Sequence, residues 1–172
     1  MVARAYQAFF QSLAFHALPK IVHRYLGDAG FVDIVEALAE ATIAALPHLL
    51  EATKGMVEVP GGDPLEKLVL HMRCHEAARR ILGDESVGIF RVERLDENRV
   101  LFRAERCPHS GDSPLLIASY IGVIVGVLRA LGARAYGARS REYVRHLARG
   151  GEVYAVYPAG EGCSIVVERL RS

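Results

Sequence analysis

The stretch SVGIFRVERLDENRVLFRA, Ser86 to Ala104, decides the fold. Val87, Ile89, Val92 and Leu95 lie in a strand-like run, and Asp96-Glu97-Asn98 is a cluster of turn formers. Beyond it Val100, Phe102 and Ala104 alternate with the charged Arg103 and Glu105. Strand-like runs on both sides of a polar turn predict a β-hairpin. Before Gly83 the apolar residues recur at roughly three to four positions instead, the period of helices. The hairpin therefore marks the passage from a helical half to a sheet-forming half.

Working outward toward the C-terminus, Pro108 to Pro114 reads as a loop. Leu115 to Leu131 reads as a long apolar helix ended by Gly132. Ala133 to Arg139 reads as a strand. Ser140 to Ala148 fits either a charged helix with a serine cap or an extended hairpin arm. Val153 to Tyr157, a turn over Pro158 to Gly162 and the segment from Cys163 to Leu170 form a last hairpin.

Toward the N-terminus, residues 3–18 place Tyr6, Phe9, Phe10, Leu13 and Leu18 on an amphipathic helix. Pro19 opens a second helix or breaks the first, and Gly27 reads as a C-cap behind Ile21, Val22, Tyr25 and Leu26. A third helix is expected from Phe31 to Leu46 with Ile34, Val35, Leu38 and Ile43 inward. Pro47 kinks it or starts a short piece through Leu50. Lys54 to Asp63, with three glycines and a proline, reads as a loop. Asp63 then caps a helix with Pro64 at its first position and Glu66 at its third, ending at Leu82 before Gly83. The expected fold is α+β: one domain over residues 1–172, with a helical part at 1–83 and a hairpin–helix–hairpin core at 84–172. The N-terminal helices pack on an antiparallel sheet, and the long central helix lies between the two hairpins.

Composition bounds the function. Of 172 residues, 51% are hydrophobic and 24% charged, which excludes a disordered chain. A net charge of +1 gives no general pull toward nucleic acid or an acidic membrane. Among the 21 basic residues only Lys20, Lys54 and Lys67 are lysines, and Asn98, Gln7 and Gln11 are the only amides. Scarce amides and dense charge suggest a protein that works hot, while a GC-rich genome would give the same arginine bias. Cys74, Cys107 and Cys163 make an odd count with no secretory leader before them, which argues against a disulfide framework. The apolar run from Pro114 to Leu128 is shorter than the ~20 residues that span a bilayer. A cytoplasmic protein without a membrane span is expected.

Three groups of residues could carry chemistry. His71, Cys74 and His75 share one helix face at i, i+3 and i+4, and Cys107 and His109 follow a strand. Thiolate and neutral imidazole are the ligands zinc prefers, so these five residues form a candidate zinc site. Their spacing matches no standard zinc-finger pattern, and a core thiol with solvated histidines is the plain alternative. Gly122 and Gly126, four apart in the long helix, clear a groove along one helix face, for a ligand or for another backbone. Arg134, Arg139, Arg141, Arg145, His146 and Arg149, with Tyr136 and Tyr143 between them, make a basic and aromatic stretch. No recognition motif accompanies it, so nucleic acid is not an expected partner. Catalytic signatures such as G-x-S-x-G, a Walker loop or G-x-G-x-x-G are absent.

The order hairpin, Cys-Pro, loop, glycine-bearing helix, hairpin resembles the 4-vinyl reductase-like domains of archaeal and bacterial proteins. More distantly it resembles the Bet-type components of the TRAPP transport particle. Three stretches carry the likeness, over about half of the chain: Arg106-Cys107-Pro108, the helix from Tyr120 through Gly122 and Gly126 to Gly132, and Glu161-Gly162-Cys163-Ser-Ile-Val-Val167. The chain departs from the family where Val156-Tyr157-Pro158 replaces an earlier cysteine of the last hairpin, and where Ser140–Ala148 is inserted. The resemblance implies an α+β domain, often dimeric, that binds a small apolar or hydrocarbon-type molecule, and it does not imply reductase catalysis. The expected function is accordingly a non-catalytic ligand-binding or sensor domain, lined by Phe102, Tyr120, Gly122 and Gly126 and signalling to a partner protein. The alternative is a zinc-binding protein or zinc-dependent enzyme. A homodimer is expected through the apolar face of Phe9, Phe10, Leu13 and Phe15.

Overall fold

The computed structural model describes residues 13, 17–52, 62–82, 90–104, 116–148, 150–160 and 163–171. The elements, in chain order, are α1 (Leu18–Ala52), α2 (Pro64–Leu82), β1 (Phe90–Arg94), β2 (Arg99–Ala104), α3 (Leu116–Ala130), β3 (Ala135–Gly137), α4 (Arg141–Leu147), β4 (Val153–Pro158) and β5 (Ile165–Leu170). The fold is α+β. Its five strands run in the order β1-β2-β5-β4-β3. The β1–β2, β2–β5 and β4–β5 pairs are antiparallel, and β3 runs parallel to β4. The sheet is thus mixed, which corrects the expectation of an antiparallel one. A parallel neighbour needs a crossover connection, and α4 supplies it between β3 and β4. That role also settles Ser140–Ala148 as a helix. Ser140 accepts a hydrogen bond from the Tyr143 backbone N–H through its side-chain oxygen at 3.2 Å, satisfying one of the donors a helix start leaves open.

The two hairpins meet edge to edge in the middle of the sheet, where Val100 pairs with Val167 and Phe102 with Ile165. Period-two alternation then sends the strand residues to opposite faces. Phe90, Val100, Phe102, Tyr154, Val156, Ile165 and Val167 belong to the main core with α1, α2 and α3. The other face carries Ala155, which buries with Ala138 and with Val144 of α4.

The expected separation at Gly27 is found: the span from Leu18 to Ala52, labelled α1 as a whole, is two helical segments joined at a kink, where Gly27 has a φ of 58° and a ψ of −133° that are not helical. A positive φ ends the first segment at this glycine, and Pro47 is accommodated within the second. Beyond the bend, Phe31, Val35 and Ala39 are fully buried, while before it Leu18, Ile21, Tyr25 and Leu26 are exposed. Most of the helix expected at residues 3–18, and residues 54–61 of the loop expected from Lys54 to Asp63, lie outside the described residues. Helix α2 begins at Pro64 as expected, with the Lys67 N–H donating to the Asp63 carbonyl at 3.1 Å. Helix α3 ends with the Ala133 N–H on the Leu128 carbonyl at 3.0 Å and Gly132 at φ 85°, a Schellman closure that needs glycine. No helix among the described residues is long and apolar enough to cross a membrane.

Candidate functional site

The four residues expected to line a ligand groove are core residues. Phe102 is fully buried on β2. Tyr120 is half-buried, with its ring edge-on to Phe90 at 5.3 Å and 87°, and burial pushes its phenol above the ordinary value. The glycines are where a groove would have to open, and helix α1 fills it. A Cβ on Gly122 would sit 2.6 Å from the Leu38 Cβ and 2.8 Å from the Val35 carbonyl oxygen. On Gly126 it would sit 2.6 Å from the Thr42 Cβ and 2.7 Å from the Ala39 carbonyl oxygen. Glycines four apart let two backbones approach, and here both helices belong to the same chain. Thr42 turns its hydroxyl back to the Leu38 carbonyl, 2.7 Å away, so its carbons meet Gly126 and no polar group is stranded. Arg129 locks the C-terminal end of α3 to α1 with two bonds to Glu36, at 2.6 and 2.8 Å, and a third to the Ala135 carbonyl.

Of the zinc set, His71 lies half-buried on α2. Cys74 and His75 follow on the same helix with side chains outside the described residues, as are Cys107 and His109. Among the described residues no group of three or more His, Cys, Asp or Glu side chains could hold a metal ion. Cys163, buried at the start of the last strand segment, is disulfide-bonded, contrary to the expectation drawn from the odd cysteine count. The chain has only two other cysteines, Cys74 and Cys107. A disulfide within the chain therefore takes a sulfur that the zinc reading assigns as a ligand.

The second face of the sheet holds polar groups that the sequence reading missed. Glu168, with its side chain 8% exposed, accepts two hydrogen bonds from Arg141, each 2.6 Å, and one from the Tyr157 hydroxyl at 2.8 Å. Burial alone pushes the Glu168 carboxyl up, but the Arg141 and Tyr157 hydrogen bonds and the charge of Arg99 outweigh it and hold the group below its usual value. Burial and the bond to Glu168 push the Tyr157 phenol up to about 12. Arg141 is the first residue of α4, so this bidentate pair pins the helix start to the sheet. Sequence spacing cannot show the pairing, because residues 141 and 168 sit on elements separated by a whole strand.

At the other end of α4 the covering is incomplete. A cavity of about 340 Å³ lies between the helix end and the sheet. Val153 and Leu170, directly opposed across β4 and β5, line it together with Ala148. Arg145, Arg171 and the turn at Gly150-Gly151 complete the wall. Both turn glycines have left-handed φ, 62° and 78°, which explains the glycine pair. The Arg134 guanidinium donates to the Gly150 carbonyl at 2.8 Å, so it too stands at this rim. Of the basic stretch seen in the sequence, Arg141 is consumed by Glu168 and Arg134 by the turn. Arg145 belongs to the cavity, and Arg149 lies outside the described residues.

No protein-family model, curated protein or solved structure matches the chain.

Proposed function

We propose that the chain is a small-molecule-binding domain that acts without catalysis and takes a ligand with an apolar body. The carrying observation is the cavity between α4 and the sheet, whose floor is Val153 and Leu170. Its volume falls at the lower end of the ~300–1,000 Å³ usual for ligand sites, and it combines an apolar floor with a few polar groups. The likeness of the second half of the chain to 4-vinyl reductase-like domains supports the same class of ligand. The site differs from the one first expected: α1 closes the glycine groove of α3, and the opening lies on the opposite face of the sheet.

Nile red, a neutral apolar dye, tests this. The protein is expected to bind it saturably, and Leu170→Trp, which fills the floor, is expected to remove binding while the melting temperature stays close to the parent's. Dye binding that survives both Leu170→Trp and Val153→Trp would overturn the site, and no binding by the parent would overturn the function. The zinc reading is the weaker one, because a disulfide at Cys163 leaves the proposed ligand set at most one free thiolate. A homodimer through the N-terminal apolar face remains part of the proposal. Phe9, Phe10 and Phe15 lie outside the described residues, while Leu13, Leu18, Ile21, Tyr25 and Leu26 are exposed apolar residues nearby in the chain, and sedimentation at micromolar concentration showing only monomer would remove the dimer.

A further inference from the structure

The walls of this cavity are chemically lopsided. Its floor is apolar, and its rim is cationic. Arg145 and Arg171 both line it, and Arg134 reaches the turn that closes it, with its Nη1 3.1 Å from where a Cβ on Gly151 would lie. Against these three guanidinium groups stands the carboxylate of Glu152, which accepts from Arg171 at 3.3 Å. Arg145 makes no hydrogen bond or ion pair among the described residues. Arg141, one turn earlier on the same helix, is held by Glu168 and points its charge elsewhere.

A cationic rim over an apolar floor selects for a molecule with the complementary division. We infer that the cavity recognises an amphiphile carrying an oxyanion, a carboxylate or phosphate ester, on a compact apolar body. This inference rests on the ligand-binding reading given above and names the class of ligand. The planar guanidinium donates two parallel N–H bonds that match an oxyanion, so Arg145 and Arg171 hold the head. The apolar body lies against Val153 and Leu170. Because both arginines are exposed to solvent, the head-group attraction is screened by salt, whereas burial of the apolar body is not weakened by it. Glu152 would attract a cation, but Arg171 already engages it, so it offsets the preference for an anion only weakly.

Three probes of equal chain length separate the parts: decanoate, decanol and decyltrimethylammonium, titrated calorimetrically below their micelle concentrations with the whole chain. Decanoate is expected to bind at least about tenfold more tightly than decanol, a difference of about 1.4 kcal/mol, and decyltrimethylammonium more weakly than either. The double variant Arg145→Gln, Arg171→Gln is expected to bring decanoate to the level of decanol while leaving decanol unchanged. Raising salt is expected to narrow the preference in the parent and to have no such effect in the variant. Equal binding of decanoate and decanol by the parent, or a preference that persists in the double variant, would overturn the oxyanion inference and leave the ligand-binding reading standing. Absence of binding by all three probes, together with loss of Nile red binding, would overturn both. Decyl phosphate against decanoate then distinguishes the two head groups. Both substitutions lie at exposed positions, and the melting curve of the double variant confirms that the fold is kept.

Discussion

The two faces of the sheet are covered by different physics. On the first, α1 and α3 approach until backbone meets backbone at Gly122 and Gly126, and the strand residues beneath are apolar apart from Tyr154, whose hydroxyl donates to Asp63. On the second, the seven-residue α4 covers only part of the sheet. It is fastened by a short apolar contact through Val144 and by an ion pair at its first residue. Close packing leaves no room and tolerates no added atom, because protein interiors are as dense as organic crystals. Fastening by charge fixes one end and leaves the other end open. The cavity lies beneath the end of α4 that no ion pair holds among the described residues, whereas the glycine groove is filled by the chain's own helix.

The largest expected effect breaks the first face. Gly126→Ala places a Cβ against the Ala39 carbonyl and the Thr42 Cβ, neither of which is the far end of a flexible side chain. The helices must separate, at a cost at or above the top of the usual range of ~1–3 kcal/mol for overpacking. Thermal denaturation should show a fall of roughly 6–12 °C for ~3 kcal/mol in a chain of this size. A variant that melts with the parent would mean that the two helices are not in close contact.

Next in size is the fastening of α4. Arg141→Met leaves the Glu168 carboxylate buried with Tyr157 as its main remaining donor, an arrangement expected to cost about 1–3 kcal/mol. The same change should loosen α4 without touching α1 and α3. Hydrogen exchange should therefore accelerate for the amides of residues 141–148 while those of residues 117–128 keep their protection. Acceleration spread equally over both groups would contradict the independence of the two faces.

The pH dependence follows from the same cluster. Glu168 has its folded value held below the ordinary 4.5, so its contribution is present above that value and is lost as pH falls through the lowered one. Tyr157 behaves in the opposite sense. Its phenol is pushed up from 10.0 to about 12, so its contribution is present below pH 10 and is lost as pH rises toward 12. Denaturant melts from pH 3 to 7 should therefore show a flatter acid limb for Glu168→Gln than for the parent. Absorbance titration of phenolate should lose a late-titrating group in Tyr157→Phe. An unchanged acid limb in Glu168→Gln would remove the carboxylate from the stability of this face.

The smallest effect is expected where charge pairs are exposed. Arg103 bonds Glu93 at 3.0 Å across the β1–β2 hairpin, with both side chains about half exposed. Replacing Arg103 by Gln should change stability by less than about 1 kcal/mol, since solvent screens such pairs. Contrast with Arg141 then measures what burial of the carboxylate adds.

The sequence by itself determined the local elements. The alternation around Asp96-Glu97-Asn98, the start of α2 at Pro64, the glycine end of α3 and the serine cap of α4 depend on neighbours a few residues away. Backbone conformation and short-range hydrogen bonding decide such features, so composition and spacing reveal them. The tertiary structure decided what those elements face. Two glycines four apart announce close approach but not the partner, and α1 rather than a ligand arrived there. Asp63, read as a helix cap, also proved to hold distant groups, its carboxylate accepting from the Tyr154 hydroxyl at 2.6 Å and pairing with Arg169. Arg141, read as one charge in a basic run, is neutralised by Glu168 on β5. In each case the partner lies far along the chain, and no local pattern records it. Burial gives such a pair its strength, and burial is a property of the assembled sheet and helices alone.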